Sequence, residues 1–168
     1  YPEQALAQAH DAVRRAIELR HQFTLTHAHH HVAWLAYLCG LGCVAREAAE
    51  ASIRIAEEQV FAFWIAESTM VRGAAMIQDG EVERGIDDVR RGGVHTRASG
   101  ATLLDTHYAV FLAEGLLRIS QLPEALATVD AGLAHAEKSA VRVLEPELHR
   151  LRGEILLVSS PTNRGAAR

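Results

Sequence analysis

Apolar side chains recur at every third or fourth position along most of the chain, the spacing that places them on one face of an α-helix. Segments 5–19 and 125–137 show this spacing clearly, and no segment sustains the apolar–polar alternation of a strand. Glycines and a proline interrupt the pattern at regular places. The pattern predicts an all-α fold of about eight helices, at 2–20, 22–39, 43–59, 62–79, 81–97, 102–119, 122–138 and 144–158.

The helical pattern repeats with a step of 40 residues. Four columns of equivalent positions keep this step along the whole chain, and two of them hold small residues. The columns are the small residues Ala33, Gly73, Ala113 and Gly153; the small residues Ala5, Ala45, Gly85, Ala125 and Gly165; the turn residues Gly40, Gly80, Ser120 and Ser160; and the apolar residues Phe23, Phe63, Leu103 and Val143.

Each unit reads as a helical hairpin, because a small residue precedes the turn by seven positions and another follows it by five. Small side chains let two helix backbones approach closely, and each hairpin leaves an apolar face that a neighbouring hairpin must cover. We therefore predict an α-solenoid of stacked antiparallel hairpins. The predicted units are 1–20 (partial), 21–60, 61–100, 101–140 and 141–168 (partial), within one repeat domain over 1–168.

The register also suggests a fragment of a longer array, cut inside a unit at both ends. We expect such open ends to expose apolar surface, through which the fragment could associate with itself.

Composition restricts the possible partners. Apolar residues make up 49% of the chain, charged residues 23% and aromatic residues 5%, and the net charge is −4. That charge disfavours nucleic acid, and no apolar run approaches the ~20 residues that span a bilayer. Two cysteines, Cys39 and Cys43, flank a glycine turn, and we expect them to be reduced. With no recognisable secretory signal, we expect a cytoplasmic location.

Four stretches, 21–40, 56–76, 85–103 and 145–157, carry a resemblance to a known class of protein. Within them, "EEQVFAFW" (57–64) and "ELHRLRGEILL" (147–157) are the most specific. The chain resembles the tetratricopeptide-type C-terminal region of bacterial signalling proteins that join a class III adenylate/guanylate cyclase, or a transcription-regulator module, to a STAND-type ATPase. The resemblance implies a regulatory or sensory tail that binds a partner or ligand and performs no catalysis.

A tetratricopeptide hairpin lines its concave groove with the first helix of each unit. Counting from Ala33 along the 40-residue register, this face is mixed in polarity and charge, as a peptide- or ligand-binding groove would be. Trp34 and Tyr37 favour binding, because amphipathic aromatic residues are preferred anchors. The predicted groove residues are His27, His30, Trp34, Tyr37, Glu67, Met70, Gln78, His107, Glu114, Arg118, Glu147, Arg150 and Glu154.

Four histidines crowd the segment "THAHHHVAW" (26–34). The register assigns His27 and His30 to the groove, His29 to a helix–helix contact, and His31 to an apolar column where we expect it partly buried. His27 and His31 have the i, i+4 spacing that can chelate zinc, but the segment lacks the glutamate of H-E-x-x-H and a nearby third ligand.

Two classes of function therefore stay open. The first is a non-catalytic scaffold that binds a protein, a peptide, a ligand or another domain of its parent chain, with neither nucleic acid nor membrane as partner. The second is a metal-binding helical domain or enzyme that uses the 27–31 histidines. For the first class we expect no catalytic residue, no cofactor and no structural metal.

Overall fold

The computed structural model describes residues 1–160, which form eight α-helices and no strand. Every helix lies within three residues of its predicted bounds, and a 3₁₀ turn at Thr102–Leu104 accounts for the largest difference. The all-α prediction is confirmed. The helices are α1 Pro2–Glu18, α2 Gln22–Leu38, α3 Gly42–Gln59, α4 Ala62–Gln78, α5 Val82–Ala98, α6 Asp105–Arg118, α7 Leu122–Ser139 and α8 Glu145–Ser159.

The chain divides into two compact units, Tyr1–Ala101 and Thr102–Arg168. In the first unit each helix packs on the next, and α2 also packs on α4. In the second unit α7 packs on α6 and α8, and α6 packs on α8. Contact between alternate helices is what stacked hairpins produce within a unit. The prediction of a single solenoid over the whole chain stays a prediction.

Left-handed turns end the helices at a constant interval. Positions 20, 40, 60, 80, 100, 120 and 140 all have positive φ, although only three of them are glycine. At Gly40 the backbone N–H donates to the Tyr37 carbonyl, and the Leu41 N–H donates to the Ala36 carbonyl, both at 2.9 Å. This pair of bonds is the Schellman motif, which satisfies carbonyls at a helix end. The turn therefore recurs every 20 residues, half of the predicted repeat.

The predicted turn at Ser160 is wrong. Ser160 has φ −68° and ψ 134°, an extended conformation, whereas Gly40, Gly80 and Ser120 in the same column are left-handed. The residue after Ser160 is Pro161. A proline ring clashes with the preceding residue in helical conformations and drives that residue to extended backbone, so the turn cannot form there.

The small-residue columns lie where helices approach closely. Ala33, Ala45, Ala113 and Ala125 have no exposed surface. Gly73 of α4 faces Gly85 of α5 so closely that a Cβ added at Gly73 would lie 2.6 Å from the Gly85 carbonyl oxygen. Gly153 differs, because a Cβ added there would meet nothing within 4 Å. Gly165 of the same pattern lies outside the described residues.

The first and last helices of the described residues carry exposed apolar side chains, as expected. They are Ile17 and Leu19 at the end of α1, and Leu156, Leu157 and Val158 on α8. Self-association through these surfaces stays a prediction.

Two glycines of one column should respond oppositely to alanine. We expect Gly73→Ala to lower the free energy of unfolding by about 1–3 kcal/mol, because the new methyl group collides with the α5 backbone. Gly153→Ala should be neutral or stabilising by up to about 1 kcal/mol, since it gains helix propensity without a clash. Urea unfolding followed by circular dichroism measures both. Equal effects would contradict the close approach of α4 and α5.

Replacing a non-glycine residue by glycine at a left-handed turn should stabilise the protein. Val60 is β-branched, left-handed (φ 59°) and 81% exposed, so its side chain adds strain and little burial. We expect Val60→Gly to raise the midpoint of urea unfolding by an amount worth up to about 1 kcal/mol. The matched change Gly40→Ala places a Cβ at φ 71° in open space and should cost about 1 kcal/mol. A destabilised Val60→Gly protein would show that the turn conformation is not the controlling factor.

Candidate functional site

Helix α2 carries no aspartate, glutamate, lysine or arginine in its 17 residues. Its polar character comes mainly from histidine, and His27, His30 and His31 have i, i+3 and i, i+4 spacings. Side chains at these spacings lie next to one another on a helix surface. The ionisable side chains of this face are therefore imidazoles, whose charge changes between pH 5 and 8.

Trp64 of α4 lies against this face of α2. Its ring centroid is 4.8 Å from that of His27 and 5.2 Å from that of His30. The His27 and His31 rings are 4.2 Å apart, and those of His30 and His31 are 5.5 Å apart. His30 is buried, Trp64 is half-buried, and His27 and His31 are exposed. The packing of α2 on α4 thus places Trp64 against His27 and His30, and His31 contacts both of these histidines.

A chain of hydrogen bonds beneath the cluster fixes the orientation of His30. Ser52 donates to the Thr26 carbonyl at 3.0 Å, and Ser68 donates to the Ser52 hydroxyl at 2.8 Å. His30 Nδ1 lies 3.2 Å from the Ser68 hydroxyl. Because the carbonyl only accepts and each hydroxyl has one proton, every bond has a required direction. His30 Nδ1–H must donate to Ser68, so Nε2 is left to face α4.

Glu67 of α4 occupies that position. Its Oε2 lies 3.3 Å from His30 Nε2, and the residue is only 5% exposed. Burial penalises the carboxylate and raises the pKa of Glu67 to about 7. The two groups can therefore share one proton near neutral pH, either as carboxylic acid and imidazole or as carboxylate and imidazolium.

This set contains a serine, a histidine and an acid, but it is not arranged for nucleophilic catalysis. Ser68 has no exposed surface, and its only hydroxyl proton is committed to Ser52. An acyl-transfer nucleophile must instead lose its proton to the base and reach the substrate. The arrangement instead allows Glu67 and His30 to share one proton in the interior.

His29 lies apart from the other three histidines. It lines a cleft of ≈220 Å³ with His10 of α1 and Glu47 of α3. Burial, followed by the nearby charges of Arg54 and His10, lowers the pKa of His29. Its predicted place between helices agrees with this position.

The expected burial of His31 is wrong. Val71, Phe111 and Leu151 of the same column are buried, but His31 is exposed. Its Nδ1 lies 3.0 Å from the His27 carbonyl on its own helix, so the ring is satisfied at the surface against His27. His31 therefore lies at the surface beside His27, and the ring of His30 contacts it from the interior.

Four residues of the predicted groove in the first unit are interior. His30, Tyr37, Glu67 and Met70 are all buried, so the structure does not present them on a solvated face. Met70, at 2% exposure, belongs to the core.

The remaining groove candidates of the first unit are accessible to different degrees. Trp34 is half-buried and stacks on Tyr37, with ring centroids 5.8 Å apart. Gln78 is also half-buried, and its Nε2 donates to the Tyr37 carbonyl at 3.1 Å. His27 is the exposed member of the predicted set in this unit.

The groove candidates of the second unit are mostly paired along their own helices. Arg118 bonds Glu114 at 3.3 Å, and Arg150 bonds Glu154 at 2.6 Å and Glu147 at 2.9 Å. Such i, i+3 and i, i+4 pairs stabilise a helix modestly.

His107 of α6 is half-buried, and desolvation lowers its pKa to about 4. It is therefore neutral at physiological pH.

Sequence reasoning missed Trp64, around which the cluster is organised. Its register equivalent in the preceding unit is Thr24, so the repeat pattern gave no reason to select it. The available signal was the aromatic density of "FAFW" (61–64), where Phe61 and Phe63 flank the cluster.

Comparisons with protein-family models, with curated proteins and with solved structures find no match to this chain. Within residues 1–160, no group of three or more His, Cys, Asp or Glu side chains is placed to hold a metal ion. In the same part of the chain, no helix combines the length and hydropathy needed to cross a membrane. Cys39 and Cys43 are free thiols.

Glu67→Gln should change the pH dependence of stability. The pKa of Glu67 is raised from 4.5 to about 7 in the folded protein. The contribution of its protonated carboxyl to the free energy of unfolding is therefore fully present below pH 4.5 and is lost as the pH rises through 7. Glutamine keeps a group that can bond His30 Nε2 but never ionises. We expect the free energy of unfolding of the variant to rise relative to that of the wild type between pH 4.5 and 7. At pH 8 the variant should be more stable by up to about 3 kcal/mol.

Urea unfolding at pH 4.5, 6, 7 and 8 measures this difference, with the exposed Glu57→Gln as the matched control. Parallel curves for the wild type and Glu67→Gln would contradict a buried, proton-sharing carboxyl.

Proposed function

We propose that this chain is a non-catalytic, peptide-binding helical repeat of the tetratricopeptide type. It contacts an uncharged, apolar segment of a partner protein, or of another domain of its own parent chain, through the outer side of the histidine–tryptophan cluster. The observation that supports this proposal is an exposed aromatic surface built on a helix, α2, that carries no aspartate, glutamate, lysine or arginine.

This aromatic surface consists of Phe23, His27, His31, Phe63 and Trp64. Phe23 and Phe63 are 49% and 37% exposed, and both contact the Trp64 ring edge-on, at 5.9 and 5.1 Å. Contiguous exposed aromatic residues are uncommon on a monomer and typically mark a contact surface. Tryptophan surrounded by such residues is the usual centre of a binding hot spot.

The 40-residue register gives independent support. The column Phe23, Phe63, Leu103 and Val143 is exposed and apolar at every member, in both units. A core position would be buried, so this column does not belong to the core. Within the first unit, Phe23 and Phe63 hold equivalent positions in successive repeats, which is consistent with a contact made by both.

The lack of charge on this surface selects the class of partner. The ionisable groups of α2 that titrate near neutral pH are its histidines, because the helix has no aspartate, glutamate, lysine or arginine. Burial lowers the pKa of His27 below its ordinary value, which favours the uncharged ring at neutral pH. Nucleic acid and anionic lipid surfaces are attracted by arginine and lysine, which α2 lacks. An aromatic or aliphatic peptide segment buries against it without leaving a charge unpaired.

The resemblance noted in the sequence places this binding role in a biological setting. We propose that the chain is the regulatory tail of a cytoplasmic bacterial signalling protein of the cyclase–STAND ATPase type, and that peptide capture by the tail restrains or releases the attached modules.

The proposal is tested with a phage-displayed library of random dodecapeptides selected against the chain at pH 7.5. We expect enrichment of uncharged, aromatic-containing peptides, and loss of at least tenfold in affinity for the best synthetic peptide in Phe23→Glu. Phe23 is half exposed, so a folded variant is expected, and circular dichroism checks this.

Val94→Glu is the matched control, because Val94 is an exposed apolar residue on α5, outside the aromatic surface. Equal affinity of both variants, or no enrichment at all, would refute binding at this surface.

A further inference from the structure

The aromatic surface is also a cluster of proton acceptors. His27 and His31 are its two histidines, and the buried His30 lies next to His31, so a proton on either exposed ring adds charge to the same small area. The rings of His27 and His31 are 4.2 Å apart, and their mutual repulsion is one cause of the lowered pKa of His27. Protonation therefore replaces an apolar surface with a cationic one.

The surrounding charged groups do not cancel this change. α4 contributes Glu67, which is paired with the buried His30. α5 contributes Arg91 and His95, which line a cleft with Phe63 and cannot neutralise a cation. α1 and α3 contribute His10, Glu47 and Arg54, but these face His29 on the other side of α2. His31 Nδ1 bonds the His27 carbonyl, which is a hydrogen-bond acceptor without a formal charge.

We infer that binding at the aromatic surface is controlled by pH: the partner binds while His27 and His31 are uncharged and leaves when mild acid protonates them. This inference rests on the proposed peptide-binding function and adds its regulation.

The physical reason is the cost of desolvating a charge. An apolar segment that covers a neutral imidazole displaces weakly held water, whereas one that covers an imidazolium must strip the hydration shell of a cation. Histidine is the side chain whose ordinary pKa allows this change between pH 5 and 8. The buried pair has a separate role: Glu67 faces His30 Nε2, so a proton held by this pair lies in the interior and adds no charge to the aromatic surface.

The first measurement follows protonation at the cluster without any peptide. The chain has two tryptophans, so Trp34→Phe leaves Trp64 as the only indole. A protonated imidazole quenches an adjacent indole more strongly than a neutral one does. We expect Trp64 fluorescence to fall between pH 7.5 and 5 with no change in the helical circular dichroism signal. Constant fluorescence over this range would overturn the inference.

The second measurement uses the peptide selected at pH 7.5, labelled for fluorescence anisotropy. We expect its affinity for the wild type to fall by at least tenfold at pH 5.5. In the double variant His27→Gln, His31→Gln, which also alters the contact surface, the test is the ratio of the affinities at pH 7.5 and pH 5.5, and this ratio should shrink to less than threefold. His29→Gln, the matched control on the other side of α2, should keep the full pH dependence.

The outcomes separate the two proposals. Absence of binding at pH 7.5 removes the proposed function, and the pH control with it. Equal binding at both pH values overturns the pH control alone. A pH dependence that survives in the double variant, or disappears in His29→Gln, likewise overturns it, because the responsible proton would then lie elsewhere.

Discussion

The close packing of α2 on α4 is the interaction on which the candidate site depends. It places Trp64 over the histidines of α2, aligns Glu67 with His30 Nε2, and buries the serine chain that orients the imidazole. None of these contacts exists within a single helix or hairpin turn. The stacking that covers the apolar faces of neighbouring hairpins also assembles the polar network between them.

That stacking is favoured by helices of similar length and by reversals at equal intervals. The left-handed turns at every twentieth residue supply both, and the chain accepts strain to keep them, since Arg20, Val60, Ser120 and Ala140 adopt positive φ without being glycine. Where two glycines meet, at Gly73 and Gly85, the helices approach until no side chain fits between them. Turn spacing and small residues therefore act together to define the geometry of the first unit.

The interior of this unit carries a polar network where an apolar core would be simpler. His30, Glu67, Ser68 and Ser52 are all buried, and each is satisfied by a neighbour within the set or by the Thr26 carbonyl. A satisfied network of this kind specifies one register of packing, because any slip would leave several buried polar groups unpaired. The exposed histidines and aromatic residues sit directly outside it, so the surface rests on a rigid base.

The sequence by itself determined the helices, their bounds and the turn positions at Gly40, Gly80 and Ser120, because helical periodicity, glycine and small residues act over a few neighbours along the chain. It could not determine which residues each histidine side chain contacts. The spacing of 27, 30 and 31 places them on one side of α2, but the repeat register separated His31 from the other two. Only the tertiary structure, by packing α4 on that side, decided that His30 is buried against Glu67, that His31 stays exposed beside His27, and that Trp64 joins them, since burial is set by the neighbouring helix.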